Sequence, residues 1–282
     1  MRSTFSIILL ALTLVVVFQV RALSRPQIKL QLDDSVYVLR EPIWILATLK
    51  NDSSVLLRCG MYRYEGDLRL KLTNTAGDTF SYSGVFVDAA RPREQTLGFG
   101  DELAKRGDLF DFYGVSDQGA FMKFLPPGDY TVRAYLHLKA GNLYWSDPVN
   151  FRVVEPIGVD RSQHDSLVEA RKAYGERNWD KCDQIYDKLI DRFPDGRYSD
   201  LVLYESAMTM LYRREDVYEA KMIQLFHSYN ESILAEEVLP NFVRHLLGRK
   251  RADEAVRLLQ TLERVYPASC IGRSSKEMLN LM

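Results

Sequence analysis

The sequence predicts a protein of two domains, an all-β sandwich followed by an all-α array of helical hairpins. Three observations support this prediction. Apolar residues alternate with a period of two from Gln27 to about Glu155, and the period lengthens to that of a helix after Pro156. Within the helical part, one sequence pattern occurs twice. A chain of 282 residues also fits two domains of ordinary size better than one.

Residues 1–22 are predicted to be a signal peptide that is not part of either domain. Arg2 precedes an apolar run, and the small residues Val20 and Ala22 fit the rule for signal peptidase cleavage before Leu23. We therefore expect an exported, periplasmic or extracellular protein. An uncleaved membrane anchor is the alternative, because flanking residues could extend the ~14 apolar residues to the ~20 that span a bilayer.

The overall composition is that of a globular protein. The net charge of -1 predicts no nucleic-acid partner, although a local basic patch is compatible with it.

The three cysteines, Cys59, Cys182 and Cys270, are too few and too scattered for a disulfide framework. No metal-ligand spacing, phosphate-binding glycine loop or nucleophile elbow is present, so we expect no cofactor, no metal and no enzymatic activity.

The first predicted domain, residues 27–155, contains several strand-like runs separated by short polar turns. The segment "LPPGDYTVRAYLHL" resembles the penultimate strand of immunoglobulin-like domains in exported bacterial proteins. That resemblance implies an immunoglobulin-like β-sandwich, with Tyr130 at a corner of the sheet and its hydroxyl bonded back to the chain. It implies little about function, because such sandwiches have many roles.

An insertion at about residues 83–126 does not fit a minimal sandwich, and a connection of that length is usually functional, disordered or separately structured. One interpretation places Phe86, Phe99 and Phe121 as a roof over the sandwich. The other makes part of the insertion an exposed aromatic anchor for a partner. The residues of that anchor are Phe110, Phe112 and Tyr113.

Residues 156–161 are predicted to be a linker, and residues 162–282 to form three hairpins and a closing helix. Ser162 and Asp165 are spaced like a capping box that opens the first helix. The second helices of the hairpins are predicted at Trp179–Phe193, Val217–Tyr229 and Ala252–Tyr266. Their terminal aromatic residues are 36 and 37 residues apart, close to the ~34 of a tetratricopeptide repeat.

The hairpins resemble tetratricopeptide (TPR) repeats at particular positions. Cys182 and Ala255 supply the small residue where two helices cross, and Pro194 and Pro267 end the second helices. The middle hairpin fits less well. Its predicted crossing residue is Ala220, which puts Gln224 where a bulky residue is wanted, Asn230 replaces the proline, and its second helix is about two residues short.

The resemblance implies an adaptor whose first helices line a groove for a protein or peptide partner. The groove-facing residues that it implies are His164, Arg171, Tyr174, Glu205, Thr209, Tyr212, Glu237 and Arg244. The predicted function is therefore a non-enzymatic protein-binding scaffold of the bacterial cell envelope, without membrane insertion after cleavage. One alternative is an exported β-sandwich that binds a ligand or regulates a protease. The enzyme alternative is a hydrolase built around Asp101, Asp108 and His137.

Overall fold

The computed structural model describes residues 25–53, 56–59, 68–80, 95–109, 125–137 and 143–281. The chain divides into two compact units between Val154 and Glu155. The first unit contains the strands and the second contains the helices.

The described part of the first unit contains eleven strands. They are β1 Gln27–Leu32, β2 Val36–Val38, β3 Trp44–Lys50, β4 Leu57–Cys59, β5 Leu68–Asn74, β6 Thr79–Phe80, β7 Gln95–Leu97, β8 Glu102–Asp108, β9 Gly128–His137, β10 Leu143–Trp145 and β11 Val149–Val154. Three sheets result, with strand orders β1-β3-β8, β2-β11-β9-β5-β6 and β4-β7, and β10 pairs with part of β9. Alternate residues of β1, β3 and β9 point into one shared apolar core, which is why the sequence alternates there.

The predicted immunoglobulin-like sandwich was wrong. The strands form curled, half-barrel-like mixed sheets, in which β2 runs parallel to β11, and the protein as a whole mixes α and β structure. Strand β8, inside the predicted insertion, pairs with the whole of β3. Leu109 and Leu125, also from that segment, are buried in the core. Phe99 is 67% exposed, so it does not cover the core as predicted, whereas Phe86 and Phe121 lie outside the described residues.

The predicted bond of Tyr130 is confirmed. Its hydroxyl donates a hydrogen bond of 2.6 Å to the carbonyl oxygen of Pro126, four residues upstream. The ring stacks on Phe151 with centroids 5.5 Å apart, and burial raises the pKa of the hydroxyl. The hydroxyl therefore stays protonated and fixes the chain where it enters β9.

Seven helices make up the described part of the second unit. They are α1 Gly158–Gly175, α2 Trp179–Arg192, α3 Ser199–Met210, α4 Glu215–Ser228, α5 Ile233–Gly248, α6 Ala252–Val265 and α7 Cys270–Leu281. The predicted capping box at Ser162 was wrong, because α1 begins four residues earlier and the Ser162 hydroxyl bonds to Gly158 within the helix. None of the helices in the described residues has the length and apolar character of a membrane span.

The helices α2, α4 and α6 repeat the same local geometry. Each is 14 residues long and is followed by an aromatic residue, Phe193, Tyr229 or Tyr266, with φ and ψ near (-132°, 60°), (-125°, 50°) and (-125°, 49°). The N–H of each aromatic residue donates to a leucine carbonyl four residues earlier, so one carbonyl of the last helical turn gains a hydrogen-bond partner. A further turn follows, in which the aromatic carbonyl accepts from the residue three positions later.

The middle hairpin has a different register from the predicted one. Ala220 is exposed, whereas Tyr218, Met222 and Leu225 are buried at the spacing of Cys182, Tyr186 and Leu189 in α2 and of Ala255, Leu259 and Leu262 in α6. The crossing position is therefore Tyr218, and Met222 supplies the bulky residue that Gln224 lacked. Helix α4 is also as long as its two counterparts, so it is not truncated.

Candidate functional site

A group of aromatic and arginine side chains lies where α1 turns into α2 and α3 turns into α4. The Tyr174 and Trp179 rings meet edge to face with centroids 5.2 Å apart, and the Arg213 guanidinium lies 5.1 Å from the Trp179 ring centroid. Tyr212, next to Arg213 in the chain, is 95% exposed. We call these four residues the Trp179 cluster.

The Trp179 cluster is held in place by an ion pair. Arg213 donates to both carboxylate oxygens of Asp183, at 3.2 and 2.9 Å, and this contact raises the pKa of the arginine. The same arrangement recurs one hairpin later, where Arg251 contacts Glu219 at 2.5 Å. In both cases the arginine precedes a helix and the acid follows the crossing residue of the preceding hairpin's second helix. Ion pairs thus join successive hairpins at both places, and the first of them fixes the Arg213 guanidinium beside Trp179.

Arg171 and Glu205, two of the predicted groove residues, are paired with each other. Arg171 donates to both oxygens of Glu205, with a shortest distance of 2.6 Å, and the Tyr186 hydroxyl donates to the same carboxylate at 3.0 Å. The two charged side chains are only 11% and 19% exposed, respectively. Burial raises the pKa of the Tyr186 hydroxyl, and the Glu205 charge raises it further. This cluster joins α1, α2 and α3 and leaves Arg171 little surface for a partner.

The other predicted groove residues have different environments. Thr209 is buried and donates to the Ser206 carbonyl at 2.8 Å, so it does not face solvent. His164 is buried as well, with Nδ1 3.1 Å from Asp165. Glu237 is half-buried, and Arg244 is exposed and donates to Asn241 at 2.8 Å.

The predicted residues of the insertion do not form a described site. Phe110, Phe112 and Tyr113 lie outside the described residues. Asp101 and Asp108 stand just before and at the end of the seven-residue strand β8, so their backbones are about 20 Å apart. Asp101 accepts from the N–H of Gly98 and Asp108 accepts from that of Ile43. These two acids cannot meet in one pocket, so the geometry does not support the hydrolase alternative.

Glu215, Glu219 and His245 bring three possible metal-ligand atoms within 4.8 Å of one another. The imidazole Nε2 lies 3.2 Å from an oxygen of each glutamate. Those same oxygens already face arginines, with Arg249 2.7 Å from Glu215 and Arg251 2.5 Å from Glu219. The Glu215 oxygen has ionic neighbours but no aligned hydrogen bond. A divalent cation would have to displace both guanidinium groups, so we interpret this group as an ion-pair network that joins α4 to α5 and α6.

The sequence predicted two members of the Trp179 cluster, Tyr174 and Tyr212, and missed Trp179 and Arg213. The helical pattern marks Trp179 only as the first residue of a predicted helix. A tryptophan at a helix start, 34 residues before an arginine at the next equivalent turn, is a signal that alignment of one repeat with the next could find.

No protein-family model and no curated protein matches the chain. The solved structures that it resembles are varied and dissimilar in sequence. They include a mutant β-glucosidase from Listeria innocua (17% identity, 47% of this chain and 16% of that chain, TM-score 0.27). Others are a CARDB domain in complex with metal ions from Pyrococcus furiosus (9%, 46% and 88%, 0.26) and the sporulation control protein of Bacillus subtilis (13%, 54% and 56%, 0.27). The chain spans about a sixth of that β-glucosidase, and the resemblance to tetratricopeptide repeats stays a prediction.

Proposed function

We propose that this chain is a non-enzymatic scaffold that binds a protein partner through the Trp179 cluster of its helical unit. The observation that carries the proposal is the combination of Trp179, Tyr174, Arg213 and the 95% exposed Tyr212 at neighbouring helix–helix turns. Tryptophan, tyrosine and arginine are the residues that dominate binding energy at protein interfaces. Contacts among Tyr174, Trp179 and Arg213 order three of these side chains in advance, which reduces the entropy that binding would cost.

The predicted groove residues differ in how much surface they offer a partner. Arg171, Glu205 and Thr209 are engaged in contacts within the helical unit, whereas Tyr212 contributes exposed aromatic surface. A large exposed aromatic side chain on a helical turn has no packing role in the fold, so its replacement should leave stability unchanged. This makes Tyr212 the best position for a test.

The test is site-specific photocrosslinking in living cells of a bacterial host. A photoreactive phenylalanine analogue replaces Tyr212 in one variant and Leu281, which is 86% exposed on α7, in a matched control. We expect a discrete crosslinked product at position 212 that is absent at 281 and is weakened by Trp179→Ala. Equal labelling at both positions, or none at 212, would exclude the Trp179 cluster as the binding surface.

We further propose that the scaffold acts in the bacterial envelope. This rests on the sequence of residues 1–22 alone, because they lie outside the described residues. An alkaline phosphatase fusion after residue 30 tests it, since that reporter is active only after export. An inactive fusion would contradict export and leave the binding proposal to its own experiment.

A further inference from the structure

The outward face of β5, β9 and β10 combines aromatic and basic side chains. In the register of these strands, Arg69 lies opposite Tyr135 and Tyr135 lies opposite Trp145, so one row crosses three strands. A second row places Lys71 opposite Arg133. Leu143, 47% exposed, and Trp145, 37% exposed, add apolar surface.

Two like charges face each other on this surface. Lys71 and Arg133 are directly opposed residues of neighbouring antiparallel strands, an arrangement that destabilises a sheet. The described acids near this face are Asp129, which is bound to Arg152 at 2.5 Å, and the exposed Asp147, two residues beyond Trp145. Among the described residues no ion pair joins Arg69, Lys71 or Arg133 to a carboxylate, so these three cations are open to an external anion.

Arg133 is held in a fixed position before any ligand arrives. Its Nε and Nη2 donate to the Ser146 carbonyl at 3.1 and 3.0 Å, and its guanidinium lies 5.0 Å from the Trp145 ring centroid. The Ser146 hydroxyl is itself fixed, because it accepts from the N–H of Ala134 at 2.9 Å and donates to the Asp147 carbonyl at 2.8 Å. The Nη1 hydrogens of Arg133 remain for a ligand, and a preorganised donor binds with less loss of entropy.

We propose that this face binds an acidic polysaccharide. The carboxylates of such a chain pair with Lys71, Arg69 and the Nη1 group of Arg133, and the apolar faces of its sugar rings pack on Tyr135 and Trp145. The cations stand in two neighbouring rows on this face, so an extended polymer can contact them in succession. Nucleic acid is the less favoured anion, because its binding normally relies on a broad basic surface, whereas this face offers three cations beside two aromatic side chains.

The test is native electrophoresis of the purified chain in gels cast with polygalacturonate, with dextran gels as the neutral reference. We expect polygalacturonate to retard the chain and Lys71→Glu to weaken the apparent affinity at least about tenfold. The matched control is Lys29→Glu, the same charge change at an exposed position of β1, which should bind like the unaltered chain.

The melting temperature of Lys71→Glu shows whether a loss of binding comes from misfolding. An acid opposite Arg133 replaces repulsion with attraction, so the melting temperature should rise while binding falls. Arg69→Glu provides a second variant with the same expected loss of binding. The proposal is overturned by unretarded migration in polygalacturonate, by equal affinities of Lys71→Glu and Lys29→Glu, or by tighter binding of oligothymidylate than of polygalacturonate.

Discussion

Gly272 approaches the carbonyl oxygen of Tyr266 so closely that a β-carbon at residue 272 would lie 1.8 Å from that oxygen. The contact packs the start of α7 against the turn that ends α6. The equivalent positions after the other two aromatic caps are Ser199 and Ala235, both buried and small. The sixth residue after each cap is thus restricted in size.

Gly272→Ala should therefore destabilise the helical unit by about 3 kcal/mol, because backbone atoms must move to admit the methyl group. Gly248→Ala is the matched control, since a β-carbon at this last residue of α5 meets nothing within 4 Å. It should stabilise the protein by up to about 1 kcal/mol. Urea denaturation of both variants measures the difference, and equal stabilities would contradict the close approach.

The register of the middle hairpin gives a second prediction. Tyr218→Ala should cost about 2–4 kcal/mol in the free energy of unfolding, since it empties a buried ring site beside Phe242, 5.9 Å away between centroids. Ala220→Gln should change stability by less than about 0.5 kcal/mol, because residue 220 is exposed. If instead residue 220 proves the sensitive one, the original sequence register is right.

The Arg171–Glu205 pair should behave as a coupled unit. Either single change to Ala should cost about 1–3 kcal/mol, because the remaining charge is left poorly solvated among α1, α2 and α3. The double variant should cost clearly less than the sum of the two single changes. A double-mutant cycle from chemical denaturation measures the coupling, and strictly additive losses would show that the two side chains act independently.

Cys182 should resist alkylation in the folded protein. Burial raises the pKa of its thiol to about 11, so the reactive thiolate is scarce at neutral pH. Because this pKa is raised, the thiol's contribution to stability is complete below the unfolded pKa and is lost as the pH rises through about 11. Mass-spectrometric mapping after iodoacetamide at pH 8 should show the half-exposed Cys270 labelled at least about ten times faster. Comparable rates would contradict the burial of Cys182.

Glu219 should matter as an ion-pair partner rather than as a metal ligand. Glu219→Gln should lower the melting temperature, because Arg251 and His245 each lose a charged neighbour. Zinc chloride should leave the melting temperature of the unaltered chain unchanged, since the arginines already face the glutamate oxygens. A zinc-dependent rise that disappears in Glu219→Gln would instead establish a metal site.

Local pattern could predict part of this fold, and long-range pairing accounts for what it missed. Tyr130 and its bond to Pro126 follow from a turn that is contiguous in sequence. The parallel pairing of β2 with β11 joins residues more than a hundred positions apart, and alternation does not specify a strand's partner. For the same reason the sequence pattern did not identify β8 as a strand. Its run of charged residues resembles a loop, but it pairs along the whole of β3.

The candidate site was predictable to a similar extent. Tyr212 stands out in sequence as a tyrosine at the end of a helix, but the aromatic group beside it depends on Arg213 reaching Trp179. The middle register failed for a physical reason. The rule for a small crossing residue favoured Ala220, whereas the ring of Tyr218 is accommodated by Phe242 and His245 of α5.

The aromatic caps recur after 36 and 37 residues, and this spacing determines which insertions and deletions the helical unit can tolerate. Removing residues 179–214 would place Asn178 directly before α4 and preserve every cap downstream. Deleting one residue inside α4 would turn the side chains beyond it by about 100° relative to those before it, so its buried residues would no longer lie on one face. Gain or loss of sequence during evolution should therefore occur in whole hairpins here, and a shorter or longer relative should differ by such a block.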